Sequence, residues 1–86
     1  MNLVSADIKE QAVQVFKNLE AVAKAAGANL AGVVKLTIYL TDLTHFSTVN
    51  EVMALFFQEP YPARATIQIS ALPKDAQIEI DAIIVV

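Results

Sequence analysis

The chain contains no cysteine, so neither a disulfide nor a cysteine-based metal site can supplement its core. Basic residues are also scarce: six Lys and Arg stand against nine Asp and Glu, for a net charge of −3. Those six are scattered, which argues against a nucleic-acid binder, whose phosphate contacts need grouped cations. No apolar run approaches the ~18 residues that a membrane span requires. The opening MNLVSADIKEQ has no basic segment followed by an apolar stretch, so no secretory signal is read there. With cysteine absent too, the expected compartment is the cytoplasm. Glycine-rich phosphate loops, a GxSxG elbow and an HExxH motif are all missing. The single histidine, His45, stands beside Asp42 and Thr44; alone it makes no metal site and has no nucleophile to serve, so it reads as a loop or helix-start residue. No metal site is expected.

What the chain has in quantity is apolar surface, 56% of its 86 residues. A domain of this size buries only roughly 60–65% of what its unfolded form exposes and is marginal alone. One small core cannot absorb that much apolar surface. Self-association is the first inference.

Only two glycines and three prolines punctuate the chain, and they fall where elements should end. The spacing predicts an amphipathic helix from Asp7 to Ala26, with Ile8, Ala12, Val15, Leu19, Val22 and Ala26 on one face. Asp7 with Glu10 resembles a capping pair, and Gly27 followed by Leu30 suits a helix C-terminal motif. VVKLTIYLTD alternates strictly, as a strand does, with Val34, Leu36, Ile38 and Leu40 on one side and Lys35, Thr37, Tyr39 and Thr41 on the other. THFSTVNEVMALFF reads as a shorter helix with Ser47 as its N-cap and Phe46, Val49, Met53 and Phe56 on one side. Pro60 and Pro62 end it. Two further strands, ARATIQIS and QIEIDAIIVV, close the chain around ALPKDA.

The order helix, strand, helix, strand, strand implies an α+β layer with both helices on one face of a mixed sheet. The expected aliphatic face collects Val34, Leu36, Ile38, Leu40, Ala65, Ile67, Ile69, Ile78, Ile80, Ala82 and Ile84. The other face carries Lys35, Thr37, Tyr39, Arg64, Thr66, Gln68, Gln77, Glu79 and Asp81, and ends in Ile83 and Val85. Such a mixed face fits a subunit interface with a cleft. Arg64 and Glu79 are the puzzling residues, since partly buried charges cost several kcal/mol (roughly, after relaxation) without partners. A hairpin register between the last two strands would set Asp81 at least as near Arg64 as Glu79, so a structural salt bridge competes with a ligand role.

The segments QAVQVFKNLEAVAKAAGA, VVKLTIYLTDLTHFSTVNEV, FFQEPYPARATI and ALPKDAQIEIDAI, in that order, resemble the Rid family (YjgF/YER057c/UK114), the reactive-intermediate deaminases. The resemblance covers nearly the whole chain and implies one Rid/YjgF-like domain over 1–86, of chorismate mutase-like fold. It also implies a homotrimer with ligand clefts between subunits. Family members carry an N-terminal β-hairpin and a further strand ahead of the first helix; this chain is expected to be shortened there. The implied activity is hydrolysis of imines, the tautomers of enamines such as 2-aminoacrylate, to 2-keto acids and ammonia, without metal or cofactor. By the same resemblance Arg64 anchors the carboxylate of a small imino or keto acid and Glu79 orients water. Phe46, Asn50 and Thr66 then line the pocket, Thr66 through its backbone. Two other readings are a regulatory trimer that binds small carboxylates without turnover, and an endoribonuclease or translation inhibitor. The acidic charge and single histidine count against the last.

Overall fold

In the computed structural model, residues 7–59 and 61–85 are described. Helix α1 spans Ile8–Ala25, strand β1 Val33–Leu40, helix α2 Phe46–Phe56, strand β2 Ala63–Gln68 and strand β3 Ile78–Ile84. Short 3-10 turns at Leu30–Gly32, Leu43–His45 and Pro73–Asp75 join them. The architecture is the expected one, a mixed three-stranded sheet with both helices on one face. The expected Pro60 stop lies outside the described residues; α2 closes at Phe57, which takes an extended conformation (φ −120°, ψ 151°).

Both ends of α1 follow from local chemistry. The Asp7 carboxylate accepts from the backbone N–H groups of Lys9 and Glu10, two of the donors that a helix start leaves without partners. At the other end Gly27 takes φ 78°, in the left-handed region. Its N–H donates to Lys24 O at 3.1 Å, and that of Ala28 to Ala23 O at 2.8 Å, which together form a Schellman cap. The buried stripe is Ala12, Phe16 and Ala23, with Leu19 half-buried beside it. Val22 and Ala26, expected on that face, are exposed instead. The reason is Phe16, whose ring stacks on Phe56 at 5.5 Å and meets Phe57 edge-on at 6.1 Å. Three rings in contact carry more buried area than Val22 could add, so they set the helix rotation.

Strand β1 is central, parallel to β2 and antiparallel to β3, in the order β2-β1-β3. Leu36, Ile38 and Leu40 point into the core as expected. Val34 does not: a register irregularity between Val33 and Lys35 buries Val33 and leaves Val34 half exposed. An extra residue in a ladder moves its neighbours to the opposite face, which accounts for the exchange.

The order also overturns the hairpin between the last two strands. β1, α2 and β2 form a strand–helix–strand crossover, which puts β2 parallel beside β1; β3 lies on β1's other side. The expected face of β2 is inverted as a result. Arg64, Thr66 and Gln68 register against Leu36, Ile38 and Leu40 and so share the helix side of the sheet. Ala63, Ala65 and Ile67 register against Lys35, Thr37 and Tyr39 on the open side. For β3 the expectation holds: Ile78, Ile80 and Ala82 face the helices, while Glu79, Asp81 and Ile83 face away.

Candidate functional site

Ser47, expected as the N-cap of α2, lies inside the helix; the start is organised one turn earlier. There the Asp42 carboxylate accepts from the Thr44 hydroxyl at 2.7 Å and from the Thr44 N–H at 2.9 Å. Those two bonds hold Asp42 below the ordinary carboxylate value, the hydroxyl being the larger cause. His45 is the last residue of that turn and makes no side-chain capping bond, in keeping with its helix-start reading. The Leu43 N–H donates to Gln68 Oε1 at 3.0 Å, which ties the turn to the end of β2. Together these contacts fix the first turns of α2 over the polar side of β2.

Arg64 emerges from β2 beneath that helix. Its Nη1 donates to Asn50 Oδ1 and lies 3.8 Å from Met53 Sδ, while the guanidinium carbon sits 4.8 Å from the centre of the Phe46 ring. A flat cation over an aromatic face gains about 0.5–1 kcal/mol at an exposed site and keeps its plane fixed. Three of the sequence-expected residues, Arg64, Asn50 and Phe46, are therefore brought together. Thr66 follows Arg64 on the same side of β2, and its Oγ1 is buried with no hydrogen-bond partner among the described residues.

Beside Arg64 lies a hollow of about 420 Å³, walled by Asn50, Met53, Ala54, Tyr61 and Pro62. The sequence reading missed Met53, Ala54 and Tyr61 as pocket residues. Met53 and Ala54 sit three and four positions after Asn50 on a helix, which is the spacing of one helix face and was the available signal. A larger hollow of about 530 Å³ opens beside Glu20, Leu30 and Glu59, and none of its lining residues is basic. For an anionic ligand the smaller hollow, with its guanidinium, is the better host.

Glu79 is not at this site within one chain. It lies on β3 on the open side of the sheet, paired with Tyr39, whereas Arg64 lies on β2 on the helix side. Two inter-strand spacings, about 10 Å, and the sheet itself separate them. Nor does Asp81 meet Arg64. Its Oδ2 accepts the Tyr39 hydroxyl at 3.2 Å, and this bond raises the Tyr39 phenol above its ordinary value of 10.0. The expected competition between Asp81 and Glu79 for Arg64 thus does not occur: Asp81 is engaged by Tyr39, and Arg64 by Asn50. Among the described residues, Glu79 is the open-side carboxylate without a hydrogen bond.

Residues 1–86 match the protein-family model described as Endoribonuclease L-PSP. RutC family protein y4sK of Sinorhizobium fredii is 52% identical over 80 residues, covering 93% of this chain and 64% of that protein. A 2-iminobutanoate/2-iminopropanoate deaminase of Homo sapiens is 46% identical over 81 residues, covering 94% of this chain and 59% of that protein. The crystal structure of RidA from an Antarctic Psychrobacter superposes with a TM-score of 0.92 at 46% identity, over 95% of this chain and 67% of that one. E. coli TdcF, solved with bound serine, gives 0.90 at 41% identity, over 95% and 67% respectively. The chain spans 64% or less of the length of these two curated relatives. Among the described residues no helix is long and apolar enough to cross a membrane.

Proposed function

The chain belongs to the Rid family (YjgF/YER057c/UK114), and from that premise we propose that it hydrolyses small 2-imino acids to 2-keto acids and ammonia in the cytoplasm, at clefts between subunits of a homotrimer. The whole chain is taken as one Rid domain. The observation that carries the reading is the held guanidinium of Arg64, fixed by Asn50 and Phe46 beside an open hollow. A planar fork of this kind takes a carboxylate through two parallel charge-assisted bonds. Arg64 would thus hold the substrate carboxylate, with Phe46 and Asn50 holding Arg64, and Thr66 offering backbone groups next to the bound acid.

The chemistry asks little more of the protein. A protonated imine is already electrophilic at carbon. Water adds there as Glu79 accepts its proton, giving a carbinolamine. The C–N bond then breaks as the nitrogen leaves with a proton returned by Glu79, and the remaining hydroxyl proton is released as the C=O bond forms. Positioning of water and carbon supplies most of the acceleration. No step needs a metal or a cofactor.

Because Glu79 faces away from Arg64 across the sheet, the glutamate that serves one Arg64 comes from a neighbouring copy. The open side, with Val34, Ile67 and Ile83 each about half exposed, supplies the apolar surface for that contact. The expected result is that Arg64→Ala abolishes turnover of 2-iminobutanoate and that Glu79→Gln lowers kcat. Mixing the two impaired variants under subunit exchange should give more activity than the two show separately. Turnover by Arg64→Ala overturns the assignment, and absence of recovery in the mixture overturns the shared cleft.

A second reading has its own support. Arg64, Asn50, Phe46 and the hollow belong to one chain, whereas Glu79 lies on the opposite side of its sheet. An assembly that binds small carboxylates without turning over imines would use the first half alone. Keto-acid binding that depends on Arg64, without ammonia release, selects this regulatory reading. Endoribonuclease action, which the family description names, finds little support in a chain of net charge −3 with one histidine.

A further inference from the structure

The hollow beside Arg64 is much larger than a carboxylate requires, and its walls sort by polarity. Asn50 and Arg64 form one polar part; Met53, Ala54, Tyr61 and Pro62 supply the rest. Met53 is buried at 5% exposure and fixed against the guanidinium, whereas Ala54 and Tyr61 are exposed and frame the opening. At about 420 Å³ the hollow falls within the range of small-molecule sites, roughly 300–1,000 Å³. A methyl or ethyl side chain, as in 2-iminopropanoate or 2-iminobutanoate, fills only a corner. Apolar walls left wet gain nothing, while each further CH₂ removed from water there is worth about 0.8 kcal/mol.

Resting on the proposed deaminase reading and deepening it, we infer that the substrate side chain occupies this hollow, and that the preferred substrates are 2-imino acids with a branched aliphatic or aromatic side chain. Ala54 and Tyr61 determine that preference. A residue larger than alanine at 54, one turn after Asn50 on α2, projects its added atoms into the space. Alanine there keeps the hollow open. Tyr61 lines the mouth of the hollow immediately ahead of Pro62, whose ring is rigid. Arg64 binds the carboxylate common to all 2-imino acids and cannot discriminate among them; the wall residues can.

The test compares imino acids generated in situ from leucine and from alanine by an amino-acid oxidase, followed by ammonia release. The leucine-derived substrate should show a kcat/KM larger by roughly 10- to 100-fold. In Ala54→Phe this ratio should fall at least about tenfold. The ratio is insensitive to partial misfolding, because both substrates see the same active fraction. Equal kcat/KM values for the wild-type chain, or a ratio unmoved by Ala54→Phe, overturn the inference. Calorimetric titration with the two matching 2-keto acids separates it from the deaminase reading. If neither imine is turned over but the branched keto acid binds more tightly and loses that advantage in Ala54→Phe, the hollow stands and the deaminase falls. If the two keto acids bind alike, the hollow falls whatever the turnover.

Discussion

Strands β2 and β3 flank the same central strand and have similar alternating sequences, yet they are used in opposite ways. β3 turns Ile78, Ile80 and Ala82 to the helices and its carboxylates outward. β2 turns an arginine, a threonine and a glutamine toward the helices and leaves Ile67 45% exposed. The anchoring differs in the same sense. At the start of β3, Gln77 donates its N–H to buried Gln11 Oε1 at 2.8 Å and accepts from Thr41 N–H at 3.1 Å. At its end, Val85 N–H donates to Gly32 O at 2.8 Å. β2 is held beyond its ladder by the Gln68 bond to Leu43 N and by Ile69 N–H donating to Leu40 O. One edge strand builds the core; the other carries Arg64 and Thr66, the residues proposed to bind the ligand, and leaves its apolar side on a surface. Two of the three polar side chains that β2 turns to the helices have partners there: Arg64 meets Asn50 of α2, and Gln68 meets the Leu43 N–H in the turn that precedes it.

The sharpest break in this comparison comes from matched truncations. Ile78, 3% exposed at the start of β3, should cost about 2–5 kcal/mol when changed to alanine. Ile67→Ala on β2 should change the stability of the folded unit by about 0.5 kcal/mol or less, as expected for a surface position. Urea unfolding at one fixed protein concentration measures both, since association shifts apparent stability. Ile67→Asp should instead lower the oligomeric mass by light scattering with the helical content intact. Similar losses of stability for Ile78→Ala and Ile67→Ala erase the distinction between the two edges.

A smaller effect tests the anchoring. An added Cβ at Gly32 would lie 2.5 Å from the Val85 carbonyl oxygen, a backbone atom that cannot swing aside. Gly32→Ala should therefore cost about 1–3 kcal/mol and lower the hydrogen-exchange protection of Val85 more than that of β2 amides. Equal protection in both strands would mean that the end of β3 is not held there.

The contrast also locates what the sequence could and could not disclose. Asp7, Gly27 and the alternation of Leu36, Ile38 and Leu40 announce a helix start, a helix end and a strand, because each depends on interactions a few residues away. The family resemblance named Arg64, Asn50 and Phe46, which converge in the fold. The direction of β2 was not read, although a helix between two strands is the mark of a parallel crossover. ARATIQ splits into Arg, Thr, Gln and Ala, Ala, Ile, and period-two alternation does not say which set faces inward. That choice depends on Asn50 and Leu43, which are remote from β2 in sequence. The register irregularity near Val34 has no local signature either, since Val33 and Val34 are both apolar and either could be buried.

The subtlest prediction concerns the open side, where β1 and β3 share the bond from Tyr39 to Asp81. The hydrogen bond and then the charge of Asp81 push the Tyr39 phenol above its ordinary 10.0. A group raised on folding favours the folded state fully below its unfolded value, and that contribution is lost as pH climbs from 10 through the raised one. Ultraviolet titration of the tyrosines should thus show an alkaline component that returns toward 10 in Asp81→Asn and vanishes in Tyr39→Phe. Neither substitution should restore a bond to Arg64, which lies on the other side of the sheet. Persistence of the alkaline component in Asp81→Asn would assign the raised phenol to some cause other than Asp81. The open side of β3 would then hold two carboxylates in like surroundings, and the family resemblance alone would select Glu79 over Asp81 as the base.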